Sequence, residues 1–102
     1  MTLTTAPSCQ VVLTGRLDVS SVAEVRATLH QAIESGAGDL VIDVSGVELI
    51  DATGLGVLVG AHRRAALCGR RLVLHDVPPR VGRILRATRL DRVLCFDPVP
   101  AA

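Results

Sequence analysis

A β-branched run, Asp39-Leu40-Val41-Ile42-Asp43-Val44, lies between two stretches of helical periodicity. That alternation restricts the fold more than any other feature of this 102-residue chain. Leu40, Ile42 and Val44 share one face, as in a buried central strand. Upstream, Val22, Val25, Leu29 and Ile33 recur at spacings of three and four, which predicts an amphipathic helix over about 21–35. Ser21 and Glu24 form a candidate capping box at its start, and Gly36 and Gly38 end it. Downstream, a second helix is expected from Gly54 to about Cys68, closed by Gly69. Leu55, Leu58, Val59 and Ala65 or Ala66 would face inward, with Gly56 and Gly60 permitting close approach to a sheet. A first strand is read at residues 9–14, with Arg16–Val19 as a hairpin arm or bend after Gly15. A further strand is read over 71–76, then a helix over 80–88 with Val81, Ile84 and Leu85 inward, then a last turn and strand over 90–96. Residues 1–8 and 97–102 are expected to be frayed tails. Strands alternating with helices imply a single α/β domain, a small mixed sheet with helices packed on it.

Composition closes off several function classes. Val, Leu and Ile supply 33 residues, enough for a core and too many for a disordered chain. Eleven arginines against ten acids leave a net charge of +1, so no strong field draws the chain to nucleic acid or anionic lipid. One aromatic, Phe96, provides no stacking platform for single strands. The start, MTLTTAPSCQ, has no signal-peptide character, and the longest apolar stretch, Ala52–Ala61, has half the length of a membrane span, which implies a soluble, cytoplasmic protein. Cys9, Cys68 and Cys95 have no metal-ligand spacing and read as small buried apolar residues, with a Cys68–Cys95 redox pair left open. His30, His62 and His75 fall on separate elements without a metal motif. Arg63-Arg64 and Arg70-Arg71 read as a solvated face, with a partner-binding edge as the alternative, and the series Arg80, Arg83, Arg86, Arg89 reads as an exposed face in preference to a nucleic-acid contact, given nearby Asp76 and Asp91.

The informative stretch runs from Asp43 to Leu58 (DVSGVELIDATGLGVL). A buried strand ends in a loop, read over 45–53 with room for a short extended piece through Leu49 and Ile50, and a hydroxyl residue precedes a glycine-rich helix start without acidic side chains. Thr53 is therefore a candidate N-cap, its Oγ accepting from the N–H of Leu55 or Gly56. The remaining free N–H groups and the positive end of the helix dipole would favour a phosphate there. Asp51, two residues earlier, would repel such a phosphate or orient the hydroxyl; alternatively it braces the loop and Thr53 merely starts the helix.

Taken together, Gly15-Arg16-Leu17-Asp18, Asp43-Val44-Ser45-Gly46-Val47 and Ile50-Asp51-Ala52-Thr53-Gly54-Leu55-Gly56-Val57-Leu58 resemble the STAS domains of bacterial anti-sigma factor antagonists. The resemblance covers nearly the whole chain. It implies one STAS domain over residues 1–102, a four- to five-stranded mixed sheet flanked by three to four helices. It implies a phosphorylated hydroxyl just before the glycine of an Asp-Ser-Ser-Gly or Asp-Ser-Thr-Gly motif, which falls on Thr53. Ala52 stands where a second hydroxyl is common and excludes an acceptor there. The implied partner surface comprises Asp18, Asp51, Ala52, Thr53, Gly54, Leu55 and Gly56. The implied partner is an anti-sigma factor serine/threonine kinase of the histidine-kinase-like ATPase type, with no direct nucleic acid or membrane contact and a homodimer left open. No cofactor and no catalysis by the chain itself are expected. The alternative is a scaffold subunit of a stress-sensing complex or lipid transporter, without phospho-switching.

Overall fold

In a computed structural model describing residues 2–6 and 10–97, the chain builds a five-stranded sheet. The elements in order are β1 (Thr2–Ala6), β2 (Gln10–Leu17), α1 (Val22–Glu34), β3 (Leu40–Ile50), α2 (Ala52–Leu67), β4 (Leu72–His75), α3 (Pro79–Ala87), a 3-10 turn (Leu90–Arg92) and β5 (Cys95–Asp97). Strand order in the sheet follows chain order. β1 is antiparallel to β2, and each later neighbouring pair is parallel. The expected mixed α/β sheet is thus present, with three α-helices. Because β2, β3 and β4 are parallel, the loops leading into α1, α2 and α3 all leave the same edge of the sheet. Candidate sites of such sheets lie at that edge.

The alternating strand positions close the core from one side: Val11, Leu13 and Leu17 of β2, Leu40, Ile42 and Val44 of β3, Leu72 and Leu74 of β4 are all buried. The α1 stripe read from spacing, Val22, Val25, Leu29 and Ile33, packs against this core, as do Leu55, Leu58, Ala61 and Ala65 of α2. Val59 is only half-buried and Ala66 is exposed. Of the α3 residues expected inward, Val81 and Leu85 are buried and Ile84 packs at the margin.

Several expectations are corrected. Thr2–Ala6, read as part of a tail, forms the edge strand β1, with Thr2 opposite Thr14 and Ala6 opposite Gln10. Asp97 belongs to β5, while residues 7–9 and 98–102 lie outside the described set. β2 does not turn at Gly15; it runs through it, the glycine adopting φ 101°. β3 continues to Ile50 instead of giving way to a loop at Ser45. Its register explains how. Val12 pairs with Asp43 but Thr14 with Gly46, and Gly15 pairs with Val47 but Arg16 with Leu49, so β3 carries an extra residue at each of two bulges. The Asp43 carboxylate holds the first, accepting from the Ser45 N–H at 2.9 Å and the Ser45 hydroxyl at 2.7 Å. A sequence that looks like a turn is a bulged strand.

The cysteines are not core residues: Cys68 is exposed, Cys95 half-buried and both are free thiols, while Cys9 lies outside the described set. Arg70 is not a solvated residue either. It is 6% exposed, and its guanidinium donates to the carbonyls of Ala32, Ile33 and Gly38. From the loop after α2 it thereby satisfies the Ala32 and Ile33 carbonyls in the last turn of α1 and one carbonyl of the loop that follows it. Arg64 and Arg71 are spent in ion pairs with Glu34 and Asp39.

Candidate functional site

β2 and β3 end together, Leu17 opposite Ile50, so Asp18 and Asp51 leave the sheet side by side. Asp51 has extended backbone (φ −107°, ψ −177°) and is the N-cap of α2: its carboxylate accepts from the Gly54 N–H at 2.8 Å. Its carbonyl accepts the first helical bond, from Leu55 N–H at 2.9 Å, and its own N–H donates to Leu17 O at 3.3 Å. One residue therefore joins the end of β2 to the start of α2.

This differs from the expected cap. The helix begins at Ala52, two residues before the expected start, and Thr53 occupies its second position with no capping bond from its hydroxyl among the described residues. Nor is the dipole end left bare, because the Asp51 carboxylate sits on it. Asp51 takes the cap because β3 ends at Ile50, just before it, and its charged carboxylate reaches the N–H three residues on, a stronger bond than a neutral threonyl oxygen offers. What survives is the position of Thr53, which is exposed, as are Ala52 and Gly56. Replacing Asp51 by alanine is expected to destabilise the domain by about 1 kcal/mol, with asparagine nearly neutral, measured by urea denaturation.

Gly54 is buried and its absent side chain matters. A Cβ there would sit on the carbonyl oxygen of Leu17, 2.8 Å from Leu17 Cγ and 3.0 Å from Ile50 Cγ1. Gly56 and Gly60 were expected to allow the close approach, yet both have open space where a Cβ would be. Leu55 is 8% exposed and packs inward. Gly54 and Leu55 therefore seat the helix, while Ala52, Thr53, Gly56 and Gly60 form a smooth exposed ridge with little side-chain bulk.

Asp18 is fixed by its own turn. Its Oδ1 accepts from the Ser20 hydroxyl at 2.6 Å and the Ser20 N–H at 3.0 Å. The expected Ser21–Glu24 capping box does not form. Ser21 instead donates to Arg16 O at 2.8 Å and accepts from Asp18 N–H at 3.1 Å, buried beneath the loop. The bond from the Ser20 hydroxyl, then that from its N–H, holds the Asp18 carboxyl below its ordinary value. The stabilisation this represents is full above the ordinary carboxyl pKa and is lost as pH falls through the lowered one. In Ser20→Ala the Asp18 titration midpoint is expected to rise toward the ordinary value, read by carboxyl-carbon NMR.

Two apolar residues that the sequence reading passed over border this edge: Val19, 73% exposed beside Asp18, and Leu49, 41% exposed beside Ile50. Their one sequence signal is position: Val19 directly follows Asp18, and Leu49 stands two residues before Asp51. Elsewhere, His75 pairs with Asp76 at 3.3 Å and Asp97 at 3.8 Å. Among the described residues no three His, Cys, Asp or Glu side chains stand close enough to hold a metal ion. No helix among them is long and apolar enough to cross a membrane.

A family model described as "Mlab, STAS domain" matches residues 1–95. The chain belongs to the STAS family. The anti-sigma-B factor antagonist of Staphylococcus aureus is 30% identical to this STAS domain over 85 residues, 83% of the chain and 79% of the relative. A serine-to-glutamate variant of RsbS from Moorella thermoacetica is 30% identical in sequence, with a TM-score of 0.70 over 93% of this chain and 83% of that one. The Bacillus cell fate determinant SpoIIAA in its phosphorylated form shares the fold, with a TM-score of 0.68 at 21% identity, covering 93% of this chain and 88% of that one. The Staphylococcus aureus relative is by name an antagonist of an anti-sigma factor, a regulatory role.

Proposed function

We propose that this STAS domain is an anti-sigma factor antagonist: unphosphorylated, it binds an anti-sigma factor that is also a serine/threonine kinase, freeing a sigma factor, and phosphorylation of Thr53 switches the binding off. The observation that carries the reading is the exposure of Thr53 on the first turn of α2, which starts where the paired ends of β2 and β3 lead into Asp18 and Asp51. The partner surface comprises Asp18, Asp51, Ala52, Thr53 and Gly56, with Val19 and Leu49 as apolar anchors at its border. Gly54 and Leu55 act from beneath, by holding the helix in place. The smooth ridge lets a partner's side chains approach the α2 backbone closely, and burial of Val19 and Leu49 adds apolar contact.

In the switching step the Thr53 Oγ attacks the γ-phosphorus of kinase-bound Mg·ATP. The bond from that phosphorus to the bridging oxygen breaks, ADP leaves, and the hydroxyl proton passes to a base on the kinase. Thr53 then carries about −2 at neutral pH. A phosphate near a helix N-terminus is tolerated by the helix itself, so the fold persists. The interface does not tolerate it, because three anionic groups, carrying about −4 in all, then face the partner where two carried −2. The test is transfer of label from γ-labelled ATP by an anti-sigma factor kinase from the same organism. Wild type is expected to take up label and Thr53→Ala to take up none; label retained in Thr53→Ala overturns the assignment.

A second reading keeps the STAS fold and the exposed ridge and changes the partner. There the same ridge docks constitutively, in a scaffold subunit of a stress-sensing complex or a lipid transporter. A stable complex with a transporter ATPase subunit, unaffected by Thr53→Glu, would favour it.

A further inference from the structure

The charge of this molecule is nearly balanced in sum but not in place. Residues 80–92 hold Arg80, Arg83, Arg86, Arg89 and Arg92 against Asp91, a net of +4, so the rest of the chain carries −3 of the total +1. All five arginines are exposed. The ion pairs among the described residues involve Arg64, Arg71 and His75, so Arg80, Arg83, Arg89 and Arg92 are in none of them. α3 has Pro78 as its N-cap, with no side-chain capping bond, and no acid in its first turn, so the positive end of its dipole adds to the arginines. Arg80 and Arg83, three residues apart on this helix and in none of those pairs, repel each other. The inner face of α3 is already taken up by Val81 and Leu85 in the core. What it offers outward is charge alone.

We propose that the arginine face of α3 and the following 3-10 turn is a second interaction surface, which docks an acidic segment of another protein, remote from Thr53 in sequence and independent of its phosphorylation. Guanidinium groups pair with carboxylates through two parallel bonds. Arginines three residues apart rise about 4.5 Å along the helix, matching carboxylates spaced three or four residues apart on a partner helix. A compact acidic segment senses only the patch, since charges beyond about 8 Å are screened at physiological salt. A nucleic acid or a membrane is an extended polyanion that would also meet the −3 carried elsewhere. Phe96, the single aromatic, is half-buried and offers no base-stacking surface.

The probe is a fluorescent alanine-rich helical peptide with glutamates at alternating three- and four-residue spacing, titrated with the full chain and followed by anisotropy. Saturable one-to-one binding is expected. Arg80→Glu with Arg83→Glu should weaken it at least about tenfold, with the circular dichroism spectrum unchanged. Arg26→Glu with Arg63→Glu, an equal change in net charge at other exposed sites, should alter it by no more than about twofold, as should Thr53→Glu. Absence of saturable binding, or an equal loss in the Arg26/Arg63 pair, overturns the proposal. So does tighter binding to a short DNA duplex or to phosphatidylserine vesicles than to the peptide. Loss of peptide binding in Thr53→Glu would overturn the independence of the two surfaces while leaving the Thr53 switch untouched.

Discussion

Gly54→Ala is expected to destabilise this STAS domain by about 2–3 kcal/mol, lowering its melting temperature by roughly 10–20 °C, whereas Gly56→Ala two residues later should stabilise it by about 0.5–1 kcal/mol. The two substitutions are chemically identical and lie on the same helix; only their surroundings differ. At Gly54 the new methyl group would overlap the Leu17 carbonyl oxygen and press on Leu17 Cγ at 2.8 Å. A carbonyl fixed in a paired strand cannot swing away like the end of a flexible side chain, so the N-terminus of α2 must lift off the sheet. Lifting it also strains the bond from Asp51 N–H to Leu17 O. At Gly56 a methyl group meets open space, and alanine gains the helix propensity that glycine lacks. Thermal and urea unfolding of the two variants side by side measures both. If they shift stability in the same direction, the seating of α2 by Gly54 is wrong.

The second large effect is on binding. Thr53→Glu should weaken association with the anti-sigma factor kinase by about 2–3 kcal/mol, on the order of a hundredfold in Kd, with little change in folding stability. The cause assigned to this loss is repulsion among negative charges, and that cause has its own consequence. Asp51→Asn keeps a capping oxygen for Gly54 but removes a charge. The double variant Asp51→Asn/Thr53→Glu should therefore regain part of the lost affinity, giving a favourable coupling of about 1 kcal/mol in a double-mutant cycle. Calorimetric titration of the four proteins reads the coupling directly. Strict additivity would mean that bulk at position 53, and not charge, blocks the partner.

Much of this was legible from residues alone, because periodicity reports directly on which side of an element is buried. The α1 stripe, the start of β3, the body of α2 and the inward residues of α3 follow from spacing, since each buries one face against the sheet. The failures share a different origin. β1, with the sequence TLTTA, has little hydrophobic pattern; its strand character comes from pairing with β2, which no local window contains. The run Val44-Ser45-Gly46-Val47 looks like a turn, and only its register against Thr14 and Gly15 makes it a bulged strand. The cap went to Asp51 because helix boundaries are decided by where β3 ends, and β3 ran longer than its β-branched start suggested. Arg70 looked solvated because the carbonyls it satisfies belong to α1 and the loop that follows it, more than thirty residues away. At the site, the order Asp51-Ala52-Thr53-Gly54 carried the resemblance, but which glycine seats the helix required coordinates.

The account rests on one hydroxyl, and one fractionation examines it. The protein is incubated with the kinase and ATP, free and kinase-bound pools are separated by size exclusion, and each pool is mapped by fragment mass spectrometry. The free pool should carry phosphate on Thr53, and the bound pool should carry none. Phosphorylated Thr53 found at equal occupancy in the bound pool, or phosphate confined to another residue, would contradict it.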